Sequence, residues 1–513
     1  MAERHTITAL PGGLGAALWV AAAVAAGLLP LLSLAFQAGG PTLDGAVWAA
    51  LRFTLVQAGL STLLSVVPAV PLARALARRQ FTGRGLLLRL LAVPLALPAI
   101  VAVLAVVSVY GANGVLGGFM PVYGLPGILL THVFFNLPLA TRLVLEALAT
   151  TPPEAHRLAA QLGFSDNDVL RHVDGPVLRA RLPAIAGLVF LLCAASFVTV
   201  LTLGGGPAAT TLEVAIYQAL RMDFDPARAA GLSLLQLALS LTLVALAGRM
   251  MLAQASQAPL RLRQQRFDGH SPAARALDAG MLLLAVAVVA PPVVALVAAG
   301  LSHVALSAAL FSALGWSLAI GGVAALFATV LGYGLAGAAA RLPQRRMWFE
   351  GVALAGVMVP PAVMATGWFL IFGRNGTSRA ELFLLVVALN ALMALPFVVA
   401  VLAPQLARLA AAHDRLCAAL GISGWARLRL IDLPALRRPL AQALLLAGIM
   451  AMGDLTAITL FGSGGILTLP ALVYQQMGHY RGNLAAGTAL VLAVVIFLAA
   501  WLAERLGAED DPH

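Results

Sequence analysis

The chain has no lysine, so all 32 basic residues among its 513 are arginines. A phosphate-binding loop requires a lysine after its second glycine, so the run Gly204, Gly205, Gly206 cannot cradle a nucleotide. Any ATP that drives this protein must be hydrolysed by another polypeptide. Cysteine is nearly missing too. Cys193 and Cys417 are the only two, which argues against a disulfide framework or a cysteine-rich metal site, and both read as small packing residues. Charge is scarce, at 10% of residues against 61% hydrophobic, which excludes an ordinary soluble domain. No paired carboxylates, metal-spaced histidines or Ser/His/Asp set falls at one depth. The expectation is therefore no catalytic residue, no metal and no cofactor.

Long apolar runs fill the chain instead. Stretches of at least ~18 apolar residues lie near 14–36, 50–73, 88–110, 124–147, 182–203, 229–252, 276–300, 312–337, 350–373, 381–404, 440–461 and 484–504. They predict an all-α polytopic membrane protein with about twelve transmembrane helices. The first run reads as a retained span rather than a cleaved leader, because its charge is weak and eleven more follow.

The net charge of +11 does not signal nucleic acid, because the arginines are not gathered on a soluble domain. They mark sidedness. With the N-terminus in the cytoplasm, Arg4, Arg74, Arg78, Arg79, Arg84, Arg157, Arg171, Arg261, Arg263, Arg266, Arg341 and the group from Arg408 to Arg438 share one side. The other side keeps few, chiefly Arg52, Arg221, Arg228, Arg374, Arg379 and Arg481. That bias predicts that both termini face the cytoplasm.

The sequence also repeats itself. Glu154 to Pro176 reads EAHRLAAQLGFSDNDVLRHVDGP, and Ala412 to Pro434 reads AHDRLCAALGISGWARLRLIDLP. An ungapped shift of 258 residues superposes Gly163 on Gly421, Asp174 on Asp432 and Pro176 on Pro434. Each copy opens as an amphipathic helix, with Ala155, Leu158, Ala159 and Leu162, or His413, Leu416, Cys417 and Leu420, at i, i+3, i+4, i+7 spacing. A glycine ends that helix. Ser165 or Ser423 should cap a short second helix, and Pro176 or Pro434 should break it. The chain thus divides into pseudo-symmetric halves, 1–253 and 276–513. Between them, residues 254–275 read as a polar cytoplasmic linker, basic because it lies against an anionic leaflet. The tail Glu509, Asp510, Asp511 reads as a solvated end.

Further pairs repeat along the halves. Arg52, Phe53 and Thr54 match Gly315, Trp316 and Ser317, and Leu97 and Pro98 match Pro360 and Pro361. Proline inside a span bends the helix, which reads equally as a flexing element or a static kink. His132 falls on Asn390 and Ser196 on Asp454. Polar groups at matching depths either line a translocation path or link helices by hydrogen bonds. Thr211 to Gln218 matches Thr468 to Gln475 as a short amphipathic helix at the outer surface. There Tyr217, Gln218, Tyr474 and Gln475 could touch a solute-delivery protein or only cover the bundle.

The Glu-Ala opening of the first segment, with its glycine and proline at those spacings, resembles the EAA loop of ABC importer permeases. That loop docks into a cleft on the ATPase subunit. Two copies in one chain resemble two fused permease subunits of the type I importer fold. The second copy departs from the pattern, with Ala412 where the first has Glu154. The stretches ASFVTVLTLGGGPAATTLEVAIYQALRMDFDPARAA and GDLTAITLFGSGGILTLPALVYQQMGHYRGN are similar to the permeases of bacterial thiamine ABC importers, over essentially the whole chain.

The resemblance implies import of thiamine, with thiamine phosphates as further cargo, from periplasm to cytoplasm by alternating access. It implies a thiamine-binding protein outside, two ATPase copies inside, and a place in the bacterial inner membrane. Through it, Glu154, Ala155, Gly163, Ser165, Asp166 and Pro176 become ATPase-coupling candidates in the first copy. Asp414, Gly421, Ser423, Trp425 and Pro434 do so in the second. A ferric-iron importer permease shares the layout, but no oxygen-rich cluster marks the outer entrance. An ion-coupled secondary transporter also carries internal repeats, yet Asp454 and His132 are few titratable groups for one.

Overall fold

A computed structural model describes residues 11–37, 44–112, 114–118, 121–204, 206–251, 266, 268–373, 378–462 and 465–508. Arg4, Arg261, Arg263, Arg374, most of the linker and the acidic tail lie outside the described residues. In chain order the helices are α1 (Pro11–Gln37), α2 (Gly45–Arg78), α3 (Arg84–Ala96), α4 (Ala99–Tyr110), α5 (Leu125–Leu148), α6 (Pro153–Gln161), α7 (Asp166–Val169) and α8 (Gly175–Ala194). Next come α9 (Phe197–Leu203), α10 (Leu212–Arg221), α11 (Pro226–Met251), α12 (Pro272–Ser302), α13 (Ala308–Arg341), α14 (Arg346–Ala353), α15 (Ala355–Met358) and α16 (Pro361–Phe372). The last are α17 (Arg379–Ala419), α18 (Gly424–Arg427), α19 (Leu433–Gly453), α20 (Thr456–Phe461), α21 (Leu469–Gly478) and α22 (Gly482–Ala508).

Ten of the described helical stretches are long and apolar enough to cross a membrane, and α3 with α4 makes an eleventh if the pair, bent by 116°, counts as one. The remaining expected span, 350–373, is cut into α14, α15 and α16. The matched prolines break these helices rather than bend them. The residue before a proline is pushed out of helical torsions, and Leu97 (φ −76°, ψ 136°) and Val359 (φ −103°, ψ 115°) are both extended. Two more breaks carry no proline. Between α8 and α9 Ser196 has ψ 84°, and between α19 and α20 Asp454 has ψ 130°.

The chain forms two compact units. One holds the residues up to 42, Ile216–Leu237 and Val304 onward. In it α13 packs on α17, α19 and α1, and α1 also packs on α16. These contacts depend on missing side chains. A Cβ at Gly367 would lie 1.7 Å from the Gly27 carbonyl oxygen, and one at Gly13 would lie 2.5 Å from the Ala338 Cβ. Where lipid is as apolar as the side chains, such close backbone approach is what holds helices together. The Trp368 indole donates to the Ala23 carbonyl at 3.0 Å, while Leu18 and Phe36 of α1 stay 69% and 87% exposed, as a lipid-facing surface would be.

The other unit holds Leu43–Ala215 and Ala238–His303. Here α2 packs on α5, α8 and α12, and α12 also packs on α4. The matched hydroxyls do the same work in each unit. The Leu212 amide donates to Thr54 Oγ1 at 3.0 Å, and the Leu469 amide donates to Ser317 Oγ at 2.8 Å. Each satisfies a free first-turn amide of a short helix. Leu212 and Val214, like Leu469 and Val473, are buried.

Candidate functional site

The repeated segments have nearly the same backbone. The Phe164 amide donates to the Ala159 carbonyl at 3.0 Å and the Gly163 amide to Ala160 at 3.1 Å. In the second copy Ile422 donates to Cys417 at 2.9 Å and Gly421 to Ala418 at 3.3 Å. This double bond pattern closes a helix only if the intervening residue is left-handed, and Gly163 and Gly421 have φ of +68° and +66°. The small Ala159 and Cys417 are buried beneath the turn.

Past the turn the copies diverge. Ser165 and Asp168 form a reciprocal capping box on α7. Ser423 makes no such side-chain bond, contrary to the expected cap, because Gly424 also turns left-handed (φ +57°). Both chains then pass through one π-helical turn, Leu170–Asp174 and Leu428–Asp432, straight into a long helix. Pro176 and Pro434 therefore break nothing. Each sits two residues past the π turn, and the helix runs on through it.

Each π turn ends on a buried carboxylate. Asp174 pairs with Arg74 at 2.9 Å and Arg266 at 2.8 Å. Asp432 pairs with Arg427 at 3.4 Å and Arg341 at 3.7 Å, and accepts a hydrogen bond from the Tyr333 hydroxyl. Removing one member of a buried ion pair costs about 3–5 kcal/mol, because it strands the other charge. Arg266 also holds Asp268 at 2.9 Å. Burial opposes that charge, but hydrogen bonding and the charges of Arg266, Arg78 and Arg74 hold the Asp268 carboxyl down to about 2. His156, buried beside this group, is pushed below its ordinary value by burial first and then by the Arg266 charge. Its counterpart Asp414 pairs with Arg427 and, at 3.5 Å, with Arg341.

The outward faces expose apolar side chains among polar ones, including Arg157, Gln161, Arg171 and Arg415. Leu158 and Leu162 are 56% and 62% exposed, and Leu420 and Trp425 are 64% and 72% exposed. Glu154, Ser165, Ser423, Pro176 and Pro434 are exposed as well, and Ala155 is half-buried. Two of the expected coupling residues are engaged within the chain. Asp166 accepts from the Gly269 amide and from Ser271 Oγ, and Asp414 is ion-paired.

The structure brings the matched polar residues together within each unit. His132 Nε2 lies 2.7 Å from Ser196 Oγ, and its Nδ1 lies 2.8 Å from Ser61 Oγ. Asn390 lies close to Asp454, while its Nδ2 donates to the Val386 carbonyl at 3.0 Å. The Asp454 carboxylate accepts from the Thr456 and Ala457 amides at 3.0 and 3.1 Å, capping α20. Tyr217, Gln218 and Tyr474 are half-buried and Gln475 is exposed.

A family described as binding-protein-dependent transport system inner membrane component matches residues 328–508. The thiamine transport system permease protein ThiP of Brucella melitensis is 43% identical, over 96% of this chain and 95% of its own length. The Salmonella typhimurium protein of that name is 43% identical over 97% and 96%, and the Escherichia coli one 43% over 90% of each. The chain belongs to the family of thiamine transport system permeases. In this permease, sequence reasoning missed Arg266, Asp268 and Tyr333 as partners of the π turns. An acid among the linker arginines was the available signal. It also missed Phe224 and Tyr480, which are 77% and 99% exposed. These are the only non-glycine residues at positive φ among the described residues, and both follow the short helices α10 and α21.

Proposed function

We propose that this permease is the transmembrane subunit of an ATP-driven importer that carries thiamine from the periplasm to the cytoplasm of a bacterial inner membrane. The observation that carries the reading is the pair of like-built helix, glycine, helix segments in one membrane chain. Each presents exposed leucines to a partner, and the chain itself has no lysine for a phosphate loop. Two ATPase copies dock there, with Leu158 and Leu162 in one cleft and Leu420 and Trp425 in the other. Closure of the ATPase dimer then drives the bundle between inward-open and outward-open states. The arginine bias supports a cytoplasmic side for the segments and both termini. On the periplasmic side a thiamine-binding protein delivers solute against the α10 and α21 regions, where Phe224 and Tyr480 stand out beside Tyr217, Gln218, Tyr474 and Gln475. Strained residues of this kind concentrate at functional sites.

Thiamine carries a fixed positive charge, and Asp454 supplies a negative group at a helix break. The test is ATP-dependent uptake in vesicles holding this chain, its ATPase and its binding protein, with thiamine, thiamine phosphates and ferric iron compared. Uptake of iron and not of thiamine would overturn the substrate, and uptake without ATP would overturn the class.

A further inference from the structure

The coupling reading leaves one charged cluster without a task. The side chains of Arg266 and Asp268, at the end of the stretch between the halves, are 2% and 1% exposed. Arg266 is therefore packed inside protein and does not lie against lipid headgroups. It spans Asp174 and Asp268, and Asp268 meets Arg78 at 3.2 Å. Arg78 and Arg79 in turn grip Asp278 near the start of α12. A second attachment lies at the other end of α7 and its π turn, where Ser271 Oγ donates to Asp166 at 2.6 Å and the Gly269 amide donates to the same carboxylate. Arg266 and the residues from Asp268 to Ser271 thus touch both ends of α7 and its π turn and are anchored to α2 and α12. The second segment is braced by its own Arg427, which spans Asp414 and Asp432, and by Arg341 and Tyr333 of α13.

We infer that Arg266 together with Asp268 to Ser271 acts as a strut that fixes the tilt of α7 and its π turn, within the first coupling segment, against α2 and α12. Arg266, Asp268 and Ser271 are its positioning residues. The segment joins its span through a π turn and a glycine bend, both soft places in a helix. A push from a docked ATPase would flex those places unless something held the segment from the side. Two polar attachments and a buried ion network make it rigid, so the push reaches the spans. The inference rests on the coupling reading of the repeated segments.

The test uses the full transporter in vesicles, and the first variant joins Asp166→Cys with Ser271→Cys. Both native cysteines are buried, so an oxidant should act on the new pair. A strut that stays attached through the cycle allows the disulfide to form in both the resting and the vanadate-trapped state. It also lets the oxidised protein transport as fast as the reduced one. Uptake lost on oxidation and regained on reduction, or no disulfide in either state, would overturn the strut.

A second variant, Asp166→Asn with Ser271→Ala, loosens the outer attachment without stranding a buried charge. Net hydrogen bonds are worth about 0.5–1.5 kcal/mol, so ATP consumed per thiamine should rise about threefold to tenfold while the ATPase still co-purifies. Arg266→Gln should uncouple further, and Arg266→Lys should recover part of the coupling. An unchanged ratio in the double variant overturns the inference. Failure of the unmutated chain to transport thiamine overturns the functional reading instead, while disulfide formation still reports the contact.

Discussion

Asp174 and Arg266 lie 2.8 Å apart with side chains 0% and 2% exposed, although 92 residues separate them in sequence. The contact fixes the first π turn, and Asp432 with Arg341 and Arg427 does the same for the second. Asp174→Ala and Asp432→Ala should each lower stability by about 3–5 kcal/mol, while the corresponding asparagines should cost less by keeping an acceptor. Thermal unfolding of the purified protein in detergent checks this. A loss below about 1 kcal/mol for either alanine variant would show that the pairs are not what orders the turns.

His156 gives the first segment a pH dependence. Its imidazole is 3% exposed, its Nε2 lacks a partner, and Arg74, Arg266, Asp174 and Asp268 surround it. Burial and the Arg266 charge lower its folded pKa below the ordinary 6.5. The unfolded chain therefore binds the proton more readily than the folded one. Stability is fully present above about pH 6.5 and falls as pH drops below it. Unfolding temperature should decline between about pH 7 and pH 5.5, and His156→Gln should flatten that decline. An equal slope in the variant would remove His156 as the cause.

The glycine turns separate strain from docking. Nothing lies within 4 Å of a Cβ built at Gly163 or Gly421, so an alanine methyl meets no clash. Left-handed torsions alone should cost about 1–2 kcal/mol. Gly163→Ala and Gly421→Ala should leave the protein in the membrane with modestly reduced stability. Gly163→Trp, which adds bulk to the exposed face, should also abolish co-purification of the ATPase. Normal ATPase capture by the tryptophan variant would move the docking surface elsewhere.

Which parts of this were legible in the sequence follows from how local each signal is. The apolar runs and the two glycine turns are set by neighbours, so periodicity located them. The matches of His132 with Asn390 and of Ser196 with Asp454 were visible, because duplication preserves depth, but the meeting of His132 with Ser196 was not. The breaks at Ser196 and Asp454 have no proline to announce them, and the caps on α10 and α21 come from Thr54 and Ser317, 158 and 152 residues away. Likewise Arg266 reads as one more basic linker residue until the fold brings Asp174 beside it. Charge in a membrane protein suggests sidedness first, and only packing distinguishes an arginine facing headgroups from one closing a buried network.

Asp454 allows capping and charge to be separated. Its two carboxylate oxygens accept from the Thr456 and Ala457 amides, one each, and asparagine keeps one acceptor of the two. Asp454→Asn should therefore keep the break before α20 and normal amounts of protein in the membrane. What it removes is the negative charge offered to a cationic solute. A favourable contact of about 1.4 kcal/mol is a factor of ten, so uptake of thiamine should fall about tenfold with the affinity of the binding protein unchanged. Asp454→Ala, which loses the cap as well, should reduce the amount of folded protein. If Asp454→Asn transports at the unmutated rate, the residue acts only as a helix cap, and the charge has no part in the route.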